Sequence, residues 1–345
     1  MDRASVREPV SAMADGRVHR RRKRGITARM RACLAAVALP ALLSGCVEPV
    51  QTTPAAAAQL RMVTGQRGGG FHPFGAALAD LLNQGFTEAT VGVIPTDGAV
   101  SNVAAIQGGN ADVGFAFADV AYLAFVGRLD GHTPPFDQLR AIAVLQLTPV
   151  QLFTRADSGI RSVSDLRGRL VAVGPEGSGT ALTARLIFQA FGLAPADVRT
   201  QTLPFSDAGE RLVRGDIDAM FDTAIHPAES ATLAVRAGAR LIPIGGAVVS
   251  RLRREYPFLR QTVVPAGTYP GVDAIETVGV DSLLVCRRAL DERIVHELTA
   301  RLFQALPQLS LTRRIHFAEL DEASTTPIPL HDGAARYYRE QELLR

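Results

Sequence analysis

"VAVGPEGSGTALTARLIFQAFGL", Val171–Leu193, sets an apolar strand, a glycine-rich turn and an amphipathic helix in direct succession. An unbroken apolar run that gives way to a helical period reads as a strand feeding a helix in an open α/β sheet. The turn between them decides what such a unit holds. A serine nucleophile elbow needs glycine two positions either side of the serine, and Ser178 has Glu176 and Thr180 there. A phosphate loop needs another glycine spacing and a lysine, and "GPEGSGT" (Gly174–Thr180) has neither. Free backbone N–H groups remain, with the Ser178 and Thr180 hydroxyls, at a helix start. By these residues alone the turn is either an ordinary capped helix start or a seat for a carboxylate or other oxyanion.

The same grammar occurs upstream. "LRMVTG", "FGAALADLLNQGF", "TVGVIPT", "AVSNVAAIQGGN" and "ADVGFAFA" alternate strand and helix; so do "VQLFTRA", "LVAVGPEGSGT", its helix, "VRTQTLPF", "DAGERLVRGD" and "IDAMFDTA". In both series a helix ends at glycine and an acid precedes a short buried strand, "GNADVGF" in one and "GDIDAMF" in the other. This predicts an α/β protein with a parallel sheet, helices on both faces, and two similarly built lobes facing one cleft off the carboxyl ends of their strands. Two long apolar runs, Ala143–Arg155 and Glu276–Arg288, are the expected crossings between lobes. They divide the chain into lobe 1 (60–148 plus 277–345) and lobe 2 (149–276). The C-terminal helical segments, the first opened by Asp291, are expected on the outside.

Residues 1–45 read as an export address. A basic run, "HRRRKRGITARMR", precedes the apolar "ACLAAVALPALL", which is too short to span a bilayer. Leu43, Ser44 and Gly45 then lead into Cys46, a lipobox-like ending that predicts lipid on Cys46. A Pro, Thr and Ala tether, 46–59, follows. The whole chain carries +3, but residues 1–45 hold ten Arg or Lys against three Asp or Glu, so the remainder carries −4. The basic character belongs to the leader and implies no nucleic-acid partner. Beyond the leader and Cys46 only Cys286 is left, in the apolar "SLLVCRR", so no disulfide framework is expected and Cys286 reads as a small buried hydrophobe. Lys23, in the leader, is the sole lysine, which removes Schiff-base, Walker and Ser-x-x-Lys chemistry from the rest. Seven histidines without paired spacing and the acid-poor "DVGFAFAD" predict no metal, and no cofactor is expected.

In order along the chain, "VTGQRGGGFHPFGAALADLLN", "TDGAVSNVAAIQGGNADVGFAFADVAYLAF", "LRAIAVL", "DSGIRSVSDLRGRLVAVGPEGSGT", "GDIDAMF", "PAGTYPG" and "PLHDGAARYYRE" resemble the TAXI family, the extracytoplasmic solute receptors of TRAP transporters. The resemblance spans nearly all of Leu60 to Glu340. It implies a type II periplasmic-binding-protein fold of two doubly wound lobes with a central cleft and two hinge crossovers. It further implies a small, carboxylate-bearing solute, such as a glutamate-like amino acid or an organic acid, delivered to the membrane subunits of a TRAP-type permease. Carried over by position, the ligand-facing residues are Thr64, Gly65, Gly69, Gly70 and Phe71; Thr96, Gly98, Val100 and Asn102; Ser178, Gly179 and Thr180; and Tyr269.

The chain departs from the family pattern at Gln66 and Arg67, at Phe71 and His72 before Pro73, at Ala99 and Ser101, and at Asp222 and His226. Arg67 reads either as a surface arginine or as a charge-assisted partner for an anion. Asp222 and His226 read either as rim hydrogen bonds or as partners of a polar or amine-bearing ligand. The expected protein is therefore a monomeric, lipid-anchored periplasmic receptor and not an enzyme. The alternatives are a ligand-sensing lipoprotein without a permease and an exported enzyme on the same scaffold. If Cys46 carries the anchor, Cys46→Ala should abolish incorporation of labelled fatty acid and leave the membrane fraction; unchanged labelling would contradict the assignment.

Overall fold

The computed structural model describes residues 57–67, 69–129, 134–224, 228–313 and 316–344; the leader and Cys46 lie outside them. The chain opens with β1 (Ala58–Val63), α1 (Phe71–Asn83), β2 (Ala89–Ile94), α2 (Ala99–Gln107), β3 (Val113–Phe117) and α3 (Ala118–Phe125). A strand of 17 residues, β4 (Leu139–Arg155), leads to β5 (Leu170–Ala172), α4 (Gly179–Ala190), β6 (Arg199–Gln201), α5 (Phe205–Arg214) and β7 (Ala219–Thr223). Then come α6 (Glu229–Arg236), β8 (Ala239–Ile242), α7 (Ala247–Glu255), β9 (Leu259–Val264) and β10 (Ile275–Arg287). The chain closes with α8 (Glu292–Arg313), α9 (Leu320–Ala323) and α10 (Asp332–Glu340). Strand pairing begins at Ala58, inside the expected tether, because Ala58 and Gln59 already register with Ala89 and Thr90.

The sheet order is β2-β1-β3-β10-β4-β7-β5-β6, with β8 on β4 and β9 on β10. Pairs within each series are parallel, β1 with β2 and β3, and β5 with β6 and β7. The alternation of strand and helix predicts a parallel sheet throughout, and here the structure differs. β4 and β10 run antiparallel to every strand they touch. Both are long enough to change neighbours along their length. β4 pairs with β10 through Pro149 and with β7 from Val150 onward, and β10 leaves β9 after Val280 as it takes up β3 at Ser282. They correspond to the two expected crossings, and because they run through everything, the described residues belong to one compact unit.

The two series share a pin as well as an order. Asp112 accepts from the Arg61 N–H at 3.0 Å while its own N–H donates to the Arg61 carbonyl; Asp218 accepts from the Leu170 N–H at 2.8 Å while its N–H donates to the Leu170 carbonyl. Each acid thus locks the start of one buried strand to its parallel neighbour. The helix before each ends on glycine. Gly215 takes the left-handed conformation directly after α5 (φ 84°), whereas after α2 it falls one residue later, on Gly109 (φ 73°). Helical spacing accounts for α1, which buries Phe71, Phe74, Leu78 and Leu82 on one face. α10 packs on α8, and Tyr338 of α10 donates to the Ile142 carbonyl of β4.

Burial raises the Asp112 carboxyl, but hydrogen bonds and charge from Arg61, with a further bond from Arg287, outweigh it and hold its pKa below the ordinary value. A carboxylate lowered in the folded state stabilises above its unfolded pKa and loses that contribution as pH falls through the folded value. Asp112→Ala should cost about 2 kcal/mol of unfolding free energy at pH 7. In urea unfolding the gap to the parent should narrow below pH 4, and a gap independent of pH would contradict the pin.

Candidate functional site

Three turns meet at the carboxyl ends of β1, β2 and β5: the glycine turn before α1, the Asp97–Gly98 turn before α2, and Gly174–Ser178 before α4. The third docks on the second. The Val100 and Ser101 N–H groups, left over at the start of α2, both donate to the Gly177 carbonyl at 3.0 and 3.2 Å. Only glycine allows this approach. A Cβ on Gly98, at φ 139°, would lie 3.0 Å from the Ser178 Cα; one on Gly177 would collide with the Ser101 hydroxyl, and one on Gly179 with the Phe117 ring. Ser178 caps α4, its hydroxyl accepting from the Ala181 N–H at 3.4 Å.

Between the turns lies a cavity of about 420 Å³, counting the part open to solvent. The first glycine turn contributes Gly65, Gln66, Gly69, Gly70 and Phe71; the second, Asp97, Gly98 and Ala99; the third, Ser178, Gly179 and Thr180. Phe117, Thr148, Phe205, Thr223 and Ala224 complete the wall. Phe71 packs on Phe117 with ring centroids 4.9 Å apart and stacks on Phe115 at 5.4 Å. At the α4 start the Gly179 and Thr180 N–H groups have no partner among the described residues. The Thr148 hydroxyl is bonded to Ser282, whereas the buried Thr223 hydroxyl has no partner. The arrangement offers amide and hydroxyl donors between aromatic faces, which suits a small polar solute.

Of the residues predicted to face a ligand, Gly65, Gly69, Gly70, Phe71, Gly98, Ser178, Gly179 and Thr180 line this cavity. Four others brace it from behind. Asn102 is fully buried and donates to the Thr64 and Phe115 carbonyls, while its amide oxygen accepts from the Thr96 hydroxyl at 2.6 Å. The Thr64 hydroxyl is held by His72 Nδ1 at 3.0 Å, and the Val100 N–H is taken by Gly177. Arg67 is exposed and lies outside the wall; His226 lies outside the described residues. Gln66 and Ala99, two of the departures from the family pattern, also line the cavity, as do Asp97, Phe117, Thr148, Phe205, Thr223 and Ala224, which the sequence pattern does not single out. Of these last six, Thr148 leaves a sequence signal, a hydroxyl within the apolar run of β4.

Asp222 and Tyr269 stand away from the wall, on the face of β7 turned toward α5 and α6. The Tyr269 hydroxyl donates to Gln151 Oε1 at 2.7 Å, and Gln151 is the register partner of Asp222. Both Asp222 oxygens, Gln151 Nε2 and the Ser230 hydroxyl are buried without a hydrogen bond. Burial pushes the Asp222 carboxyl up to about 7, with the nearby Ser230 hydroxyl pulling slightly the other way. Asp119 differs in having partners. Burial raises it to about 6, although it accepts from Thr183 at 2.6 Å and from the Val120 N–H at 2.7 Å, and it joins α3 to α4 beside the cavity. Cys286 is fully buried and its thiol pKa is raised by that burial, which makes it inert. Among the described residues no three His, Cys, Asp or Glu side chains form a metal-holding group.

The NMT1-like family matches residues 62–341 of the chain. Among solved structures, MatC from Rhodopseudomonas palustris with bound malate is 21% identical, covering 84% of this chain and 100% of that one, with a TM-score of 0.51. The alkanesulfonate-binding protein SsuA from Xanthomonas axonopodis pv. citri, bound to MOPS, is 18% identical, covering 84% and 82%, with a TM-score of 0.50. The likeness is one of fold, the type II periplasmic-binding-protein fold, with its central mixed sheet and covering helices.

Asp222 gives this region a pH signature. Its folded pKa lies above the ordinary value, so the native chain keeps a proton that the unfolded chain releases, and its contribution to stability falls as pH rises from about 4 to 7. Asp222→Asn cannot ionise. Relative to the parent it should gain about 1–3 kcal/mol more at pH 8 than at pH 4.5 in urea unfolding. Equal differences at the two pH values would contradict a buried, unpaired acid.

Proposed function

This chain belongs to the NMT1-like family, and from that membership and the cleft we propose that it is an extracytoplasmic solute-binding receptor without catalytic turnover. The observation carrying the reading is one cavity walled by glycine turns from both series, with unpartnered amides at the start of α4. A carboxylate seated there would accept from the Gly179 and Thr180 N–H groups and the Thr180 hydroxyl, at the favourable end of the helix dipole. The desolvation cost of its charge would be met by donors already fixed in place.

In this reading residues 60–148 with 277–345 and residues 149–276 act as two lobes that hinge on β4 and β10. The change of neighbours at Pro149 and Val150 in β4 supports that division. Closure brings Gly177 onto α2 and commits the solute. The TAXI-like segments support delivery to a TRAP-type permease, and the leader ending at Cys46 supports a monomer lipid-anchored in the periplasm. Among the described residues no helix is long and apolar enough to cross a membrane.

Thermal-shift screening against amino acids, dicarboxylates and keto acids tests the proposal. A ligand present at a hundred times its dissociation constant stabilises by about 2.7 kcal/mol. Thr180→Val should then weaken the best ligand about tenfold, the loss of one hydrogen bond to a charged group. Full affinity in that variant would exclude the α4 seat, and a flat screen would count against the receptor.

A further inference from the structure

The mouth of the cleft carries two carboxylates from opposing turns. Asp97, before α2, and Glu176, before α4, line one recess of about 670 Å³, open to solvent, together with Gln66, Ser101 and Thr202. Asp97 and Gln66 also line the inner cavity, so recess and cavity adjoin. Neither acid has a hydrogen bond or ion pair among the described residues. Among the described residues no Arg, Lys or His contributes to either wall; Arg67, next to Gln66, is exposed and belongs to neither.

Two like charges in one recess without a counter-ion repel each other, which favours a cationic group between them. The inner cavity independently calls for a guest, since the buried Thr223 hydroxyl in its wall has no partner. Its polarity is opposite to that of the mouth. It has free amides at the start of α4, aromatic faces from Phe71, Phe117 and Phe205, and no acid deeper than Asp97. The long axis therefore runs from donors inside to carboxylates outside.

We propose that the guest is an elongated zwitterion, an α-amino acid with a basic side chain, whose carboxylate lies at the α4 start and whose side-chain cation lies between Asp97 and Glu176. This rests on the receptor reading and narrows it from carboxylates in general to those with a distal positive charge. A dicarboxylate would place its second charge against the two acids and is disfavoured by the same geometry.

Calorimetric titration of the purified protein with matched probes separates the possibilities: L-lysine against L-norleucine, L-arginine against L-citrulline, and L-glutamate. Each cationic probe should bind about tenfold more tightly than its neutral partner. The double variant Asp97→Asn/Glu176→Gln should erase that ratio. Norleucine, citrulline or glutamate binding as tightly as the cations, or a ratio surviving in the double variant, overturns the proposal and leaves the receptor standing. Heat from none of the five probes overturns the proposal, and only a flat result in the wider thermal-shift screen would count against the receptor as well.

Discussion

Two hydrogen bonds onto one carbonyl organise this molecule. The Gly177 oxygen accepts from the Val100 and Ser101 N–H groups, so the turn that begins α4 also caps α2. Those amides would otherwise be orphaned at a helix start. Capping them with a loop from the other strand series ties the wall of the cavity to local helix chemistry. The contact dictates glycine at 98, 177 and 179, where a Cβ would meet Ser178, Ser101 or Phe117. It also leaves one set of helix amides, at the start of α4, available to a guest.

The frame that positions these turns is repetitive. Asp112 and Asp218 hold equivalent strand starts, so each series presents its glycine turns at the same edge of the sheet. β4 and β10 join the series and run antiparallel to both. A strand that exchanges partners in mid-length, as β4 does after Pro149, can bend there without breaking either set of pairings. In the proposed receptor, binding energy at the turns would be converted into movement at that point. Buried acids accompany the same region. Asp119 spans α3 and α4 beside the cavity, and Asp222 lies unpaired behind it.

Much of this was legible along the chain because it is local. Apolar runs followed by helical spacing identified most strands and helices, and the two crossings fell on β4 and β10. Strand direction at those crossings was not legible, because alternation of strand and helix specifies order within a series and not how two series join. The cavity divides in the same way. Residues in glycine turns were readable from the need for bare backbone, but Phe205, Thr223 and Phe117 reach the wall only through tertiary placement. Asn102, Thr64 and Thr96 carry polar groups as ligand-binding residues do, yet they spend their hydrogen bonds on one another, on His72 and on backbone. Val100 shows why: whether a helix-start amide is free depends on a turn some 75 residues away, beyond any local pattern.

Amide hydrogen exchange, resolved by residue and compared without and with a bound solute, tests the central claim most directly. If the Gly177 contact forms as the cleft closes on its guest, Val100 and Ser101 should gain protection together with Gly179 and Thr180. Protection at Val100 and Ser101 that is the same in both states, with Gly179 and Thr180 exchanging freely throughout, would contradict it.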